Sequence, residues 1–138
     1  MPKVLISRNL PVAVIAAAET RLDVTVRDET RPMSDAEVTA ALRDYDAVLP
    51  TLGDRFDANA FAVVPEPRAK LLANFGVGYN HIDVAAAKAA VLAVTNTPCA
   101  VTDATADIAM TLILMTCRRA GEGERAVRAG AAVARRWW

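Results

Sequence analysis

The sequence predicts an α/β domain built on a parallel sheet with helices on both faces. Three observations predict it. Short apolar runs such as KVLIS, DAVLP and AKLLA read as buried strands, and stretches such as MSDAEVTAALRDY repeat apolar residues at helical spacing. The two kinds of signal then alternate about four times with short connections between them, as strands and crossover helices do.

Parallel strands need right-handed crossovers, which narrows the strand order to a flavodoxin-like or a Rossmann-like one. We favour the flavodoxin-like order with the strand around Val24 at an edge, because DVTVRD alternates Val24 and Val26 with Thr25 and Arg27. Each element has its own signal. KVLIS is an apolar run ended by polar residues, and a helix follows near Pro11 with Ile15, Ala18 and Leu22 on one face. Ser34 and Glu37 have capping-box spacing, Met33 and Val38 can form a hydrophobic staple, and a helix is expected from Asp35 to about Arg43. DAVLP is the next strand, a helical turn spans about Asp57 to Val63, and AKLLA leads into the turn NFGVGYNHID. DVAAAKAA reads as a helix capped by Asp83, and VLAVTNTP as a last strand stopped by Pro98. From Thr102, a possible cap, a long helix is expected to run until Gly121 and Gly123 break it. The first half of that helix is apolar nearly all round, which calls for burial against this domain or a second chain.

Composition excludes several functions. The 16 basic and 16 acidic side chains cancel and are dispersed, so no field favours nucleic acid or an anionic membrane. The longest strongly apolar run, Ile108 to Cys117, is about half the length needed to span a bilayer, and VAVIAAAE reads as a short helix, not a signal peptide. A cytoplasmic protein is the expectation. With one histidine and two cysteines, Cys99 and Cys117, no metal-ligand spacing can be built, and both thiols are expected to be packed as small hydrophobes.

NFGVGYNHID carries a Gly-x-Gly between a strand signal and a helix signal. A dinucleotide fingerprint would need glycine at a third position, where His81 stands, so phosphate binding is disfavoured. Two readings remain open on residue types alone. The turn can simply redirect the chain, or it can present unpaired N–H groups to a carboxylate at the carboxyl end of a strand.

NFGVGYNHID, followed by VTNTP and then TDATADIAMTLILMTCRRAGEGERAVRAG, resembles the N-terminal part of the D-2-hydroxyacid dehydrogenases, in their glyoxylate/hydroxypyruvate reductase or D-glycerate dehydrogenase branch. The resemblance runs from KVLISRNLP to about Gly130. It implies a flavodoxin-like substrate domain over residues 1–101. It also implies a region, 102–138, holding a crossing and dimerisation helix and the start of a cofactor domain. The backbone N–H groups of Val77 and Gly78 would receive the carboxylate of a small 2-oxo or 2-hydroxy acid, with Leu52 as a wall of the pocket. Val77 and Thr105 would lie near an NAD or NADP cofactor, and the helix Thr102 to Cys117 would form a homodimer through Ile108, Leu112 and Met115.

In this family a histidine acts as acid/base beside a carboxylate, an arginine clamps the substrate, and hydride passes to or from the nicotinamide. The positions that match those groups, and the G-x-G-x-x-G turn, would follow this sequence, so no catalytic residue is expected within it. His81 does not match the catalytic histidine and is expected to be solvated or to cap a helix. AAVARRWW departs from the family pattern, as a premature end would. So do Val91 and Cys99, which stand where relatives usually carry glycine; a left-handed Val91 would cost about 1–2 kcal/mol. The leading reading is the substrate lobe of an NAD(P)-dependent reductase, inactive alone. The alternatives are a binding module for small 2-oxo acids without chemistry, an interaction protein using only the apolar helix, and a truncated product without function.

Overall fold

A computed structural model describes residues 1–130 of the chain. The opening apolar run forms β1 (Lys3–Ile6), and the alternating DVTV run forms β2 (Asp23–Val26). DAVLP supplies β3 (Ala47–Leu49), AKLLA supplies β4 (Leu71–Ala73), and VLAVTNTP supplies β5 (Ala93–Thr95). All five are parallel, in the order β2-β1-β3-β4-β5, which is the flavodoxin-like order with the Val24 strand at an edge. Strands of three or four residues pair over a short register, so the loops at their carboxyl ends carry much of the positioning.

The helices follow their sequence signals closely. α1 (Val12–Glu19) follows Pro11 and turns Ile15 and Ala18 toward the domain while the rest of its surface is exposed. α2 (Asp35–Asp44) has both halves of the capping box, with the Glu37 amide donating to Ser34 Oγ and the Ser34 amide donating to the Glu37 carboxylate. Its Val38, Ala41 and Leu42 are buried, as the apolar spacing requires. α3 (Ala58–Val63) is capped by Asp57, and α4 (Val84–Ala89) by Asp83, whose carboxylate accepts the Ala86 amide at 2.9 Å. The core lies between these helices and the sheet, centred on Leu42, Val48, Phe56 and Leu72, none of which is reached by solvent. Fully burying side chains of this size contributes about 1.5–3 kcal/mol each.

The chain divides into two compact units, Met1–Ala100 and the remainder from Val101. In the second, α5 (Thr102–Cys117) is preceded by Val101 with no side-chain cap; Thr102 is its first helical residue, not its cap. The break after it falls at Arg119, which adopts a left-handed conformation with φ 50°, and not at the glycines: Gly121 and Gly123 lie inside α6 (Ala120–Arg128). Helical glycine is merely unfavourable, and here the i,i+4 Glu124–Arg128 and i,i+3 Arg119–Glu122 pairs accompany it. AAVARRWW lies outside the described residues. No described helix is long and apolar enough to cross a membrane.

Both thiols are exposed, contrary to the expectation of packed cysteines. Cys99 sits in the exposed turn after β5 with φ 65°, and Cys117 ends a helix whose every residue is exposed. The expectation at Val91 is met. α4 ends with the Leu92 amide donating to Ala87 O and the Val91 amide to Lys88 O, which places Val91 in the left-handed position of a Schellman motif at φ 57°. Val91 is 79% exposed, so its side chain gains little in return. Replacing it with glycine is expected to raise unfolding free energy by about 1 kcal/mol, the left-handed penalty less glycine's greater unfolded-state freedom. An unchanged or lower urea midpoint for V91G would show that Val91 is not strained.

Candidate binding turn at the carboxyl end of β4

β4 ends at Ala73, and the next residue, Asn74, is 2% exposed. A buried amide side chain must find partners for its donors and its acceptor. Asn74 Nδ2 donates to Gly78 O at 2.9 Å and Gly76 O at 3.1 Å, and Asn74 Oδ1 faces His81 Nε2 at 3.0 Å. Because Nδ2 is committed to two carbonyls, Oδ1 must accept, so His81 carries its proton on Nε2. Its Nδ1 is buried and without a partner among the described residues.

A third carbonyl is held from outside: Asn96 Nδ2 donates to Val77 O at 2.9 Å. In a trans peptide the C=O and the following N–H point in opposite directions. Pinning Gly76 O therefore aims the Val77 amide away from Asn74, and pinning Val77 O aims the Gly78 amide away from Asn96. Neither amide has an acceptor among the described residues, and both residues are exposed. Of the two readings left open by residue types, this geometry favours presentation of N–H groups. The glycines themselves do not adopt positive φ, and a Cβ built on Gly76 would make only ordinary contacts, the nearest being Asn74 Nδ2 at 3.5 Å. Their contribution is an uncovered backbone, not a special torsion.

The predicted site residues are only partly brought together. Leu52 is 65% exposed and its Cδ2 would lie 3.8 Å from a Cβ on Gly76, so it does stand beside the turn. Val77 presents its side chain to solvent. A cleft of about 250 Å³ opens next to the turn, lined by Tyr79, Val84, Val94, Thr95 and Asn96. Another, of about 190 Å³, lies between α2 and α3 and includes none of the predicted residues. Thr105 belongs to the second unit, in the first turns of α5, where its amide donates to Val101 O and its side chain is exposed.

His81 is half-buried, with Nδ1 buried and Nε2 on Asn74, and the cap of α4 is Asp83, which corrects the expectation of a solvated or helix-capping histidine. Its carbonyl accepts the Phe56 amide and the Asp83 amide donates to Phe56 O, so the segment that follows the turn is bridged to the loop after β3. That loop is anchored by Asp54, which is fully buried. Its carboxylate accepts from Ser7 Oγ at 2.5 Å, the Met33 amide at 2.9 Å and the Thr51 amide at 3.0 Å, and pairs with Arg8 at 3.2 Å. Burial raises the Asp54 pKa, but the hydrogen bonds from Ser7, Thr51 and Met33 and the Arg8 charge outweigh it and leave it below its ordinary value. Sequence reasoning missed Asn74, Asn96 and Asp54 as parts of the site. The available signal was a polar residue directly at a strand end, Asn74 before Gly-x-Gly and Asn96 after AVT.

Residues 4–135 match the family model described as D-isomer specific 2-hydroxyacid dehydrogenase, catalytic domain. The chain is 39% identical over 129 residues to a glyoxylate reductase of Thermococcus onnurineus, which covers 94% of this chain and 38% of that protein. It is 37% identical over 126 residues to a glycerate dehydrogenase of Hyphomicrobium methylovorum, covering 91% and 39%. A solved protein from Thermus thermophilus superposes with a TM-score of 0.85 at 32% identity, over 98% of this chain and 43% of that one. The chain thus spans well under half the length of these relatives.

The buried, unpartnered Nδ1 makes a charged His81 costly. Burial lowers the His81 pKa from its ordinary 6.5, with the Asp54 charge opposing, and the net shift is downward. Below pH 6.5 the unfolded chain therefore binds more protons than the folded one. Unfolding free energy is expected to fall as pH drops from 6.5 toward the lower folded value, and not to depend on this group above 6.5. His81→Gln keeps a donor and cannot titrate, so denaturant melts of H81Q should lose this slope; a slope identical to that of the unmodified chain would overturn the assignment.

Proposed function

Because the chain belongs to the D-isomer specific 2-hydroxyacid dehydrogenase family, we propose that its first unit is the substrate-receiving lobe of an NAD(P)-dependent reductase of small 2-oxo acids such as glyoxylate or hydroxypyruvate. One observation carries this reading: Val77 and Gly78 are exposed residues whose amides lack an acceptor among the described residues and lie beyond the carboxyl end of a parallel strand. Amide hydrogen bonds to a carboxylate are charge-assisted and stronger than neutral ones. Leu52 and Val77 give the acid an apolar border, which suits a short chain with few polar groups.

Alone, this chain holds the acid and does not reduce it. A proton donor for the C2 oxygen must reach it within hydrogen-bond distance. The chain's one histidine has Nε2 committed to Asn74 and Nδ1 buried, so it is not free for that task. The turn does not fit a dinucleotide either: the position that would need a third glycine carries the His81 ring, packed against Asn74. The nicotinamide cofactor, NAD or NADP, and the acid/base and arginine groups are therefore assigned to the rest of a full-length enzyme. Val77 and Thr105 are the residues of this chain that would border the cofactor there. Free thiols at Cys99 and Cys117 accord with a reducing, cytoplasmic setting.

Titrating the 15N-labelled chain with oxalate is expected to shift the Val77 and Gly78 amides with roughly millimolar affinity, the strength that two hydrogen bonds to a charged group support. NADH and NADPH absorbance should stay flat with glyoxylate. Shifts confined to basic side chains elsewhere, or turnover by this chain alone, would overturn the reading.

The second unit supports a homodimer. Every residue of α5 is exposed, including Ile108 at 60%, Leu112 at 58% and Met115 at 45%, which is more apolar surface than a single helix keeps in water. Pairing two copies through Thr102–Cys117 would cover it. Sedimentation should show a concentration-dependent dimer that Leu112→Asp converts to monomer; a monomeric unmodified chain at high concentration would remove this assembly.

A further inference from the structure

We propose that Asn74 and Asn96 are positioning residues that together hold the anion-receiving amides in place, and that His81 acts as the lock on Asn74. The inference rests on the binding reading above and names the side chains on which that binding depends. Three successive peptide planes are involved. Asn74 holds the carbonyls of Gly76 and Gly78, the first of which also accepts the Thr97 amide at 3.1 Å, and Asn96 holds the carbonyl of Val77 between them. An exposed turn whose glycines adopt no special torsion would otherwise sample many peptide orientations. Here each plane is fixed by a hydrogen bond to its carbonyl, and the planes of the Gly76 and Val77 carbonyls carry, on their opposite edges, the Val77 and Gly78 N–H groups offered to the ligand.

Asn74 can do this only with its amide one way round. Rotated by half a turn, Oδ1 would face two carbonyl oxygens, with no hydrogen between them. The two carbonyls fix the working orientation, and His81, with its proton on Nε2, reinforces it by donating to Oδ1 at 3.0 Å. His81 is held in turn through its main chain, whose carbonyl accepts the Phe56 amide two residues beyond the buried Asp54. The preorganisation therefore traces back into the core of the first unit and is not confined to the exposed loop.

The test compares oxalate titrations of 15N-labelled unmodified chain, N74D, N96A, H81A and H81Q, reading the Val77 and Gly78 amide shifts and their 15N order parameters. Asn74→Asp keeps the shape and loses both donors. Asn96→Ala is a half-buried change that keeps the experiment interpretable if N74D fails to fold. We expect oxalate affinity to fall about tenfold in N96A, the effect of losing one positioning hydrogen bond, and at least as much in N74D, which loses two and gains a negative charge. Order parameters of the Val77 and Gly78 amides should fall while the Val48 and Leu72 amides stay protected from exchange. H81A should weaken binding, and H81Q, which restores a donor, should recover most of it. Binding by N74D and N96A equal to that of the unmodified chain would overturn the positioning assignment alone. Absence of any oxalate shift in the unmodified chain would instead overturn the binding reading, and the positioning role with it.

Discussion

The buried carboxylate of Asp54 is the constraint on which the rest of the first unit depends. It gathers Ser7 from the end of β1, Met33 from the approach to α2 and Thr51 from the loop after β3, with Arg8 supplying the compensating charge. A carboxylate removed from water is tolerable only when its oxygens are filled in this way, and removing one partner leaves the others facing an unsatisfied charge. The strands it joins are only three or four residues long, so their few ladder bonds do little to position the loops beyond them. The carboxylate does that work at the ends of β1 and β3.

From Asp54 the constraint passes to the turn after β4 by a short path. Phe56, two residues on, is fully buried and exchanges main-chain hydrogen bonds with His81 and Asp83. His81 faces Asn74, and Asn74 holds the turn. The result is an exposed stretch of main chain resting on a fully packed support, which is the arrangement a preorganised binding site requires. What the turn offers is polar and shallow, two amides beside Leu52 and Val77, and it suits a small anion better than a large apolar ligand.

The fold was legible because its signals are local. Ser34 and Glu37 declare the start of α2 through their spacing, Asp57 and Asp83 do the same for α3 and α4, and the alternation of Val24 and Val26 with polar residues marks an edge strand. Where local signals conflicted, sequence reasoning went astray. Gly121 and Gly123 suggested a break, but the chain turns at Arg119, whose left-handed torsion nothing in its residue type announces. Cys99 and Cys117 were expected to pack, as cysteines usually do, and both face outward. The site was legible in outline: Val77, Gly78 and Leu52 are neighbours at one turn, whereas Thr105 belongs to the other unit.

By itself the sequence determined the class of fold, the strand at the edge, the caps of two helices and the place of the Gly-x-Gly turn between a strand and a helix. Those follow from periodicity and from residue types within a few positions of one another. Only the tertiary structure decided that Asn74, Asn96 and His81 serve the turn and that Asp54 anchors its support. Their partners lie 19 residues away for Asn96 and 47 for Asp54, and no spacing rule links such residues until the sheet brings the carboxyl ends of its strands together. Hydrogen-bond direction is likewise invisible in a sequence: whether an amide points at solvent or into the protein depends on which side chain has claimed the carbonyl behind it.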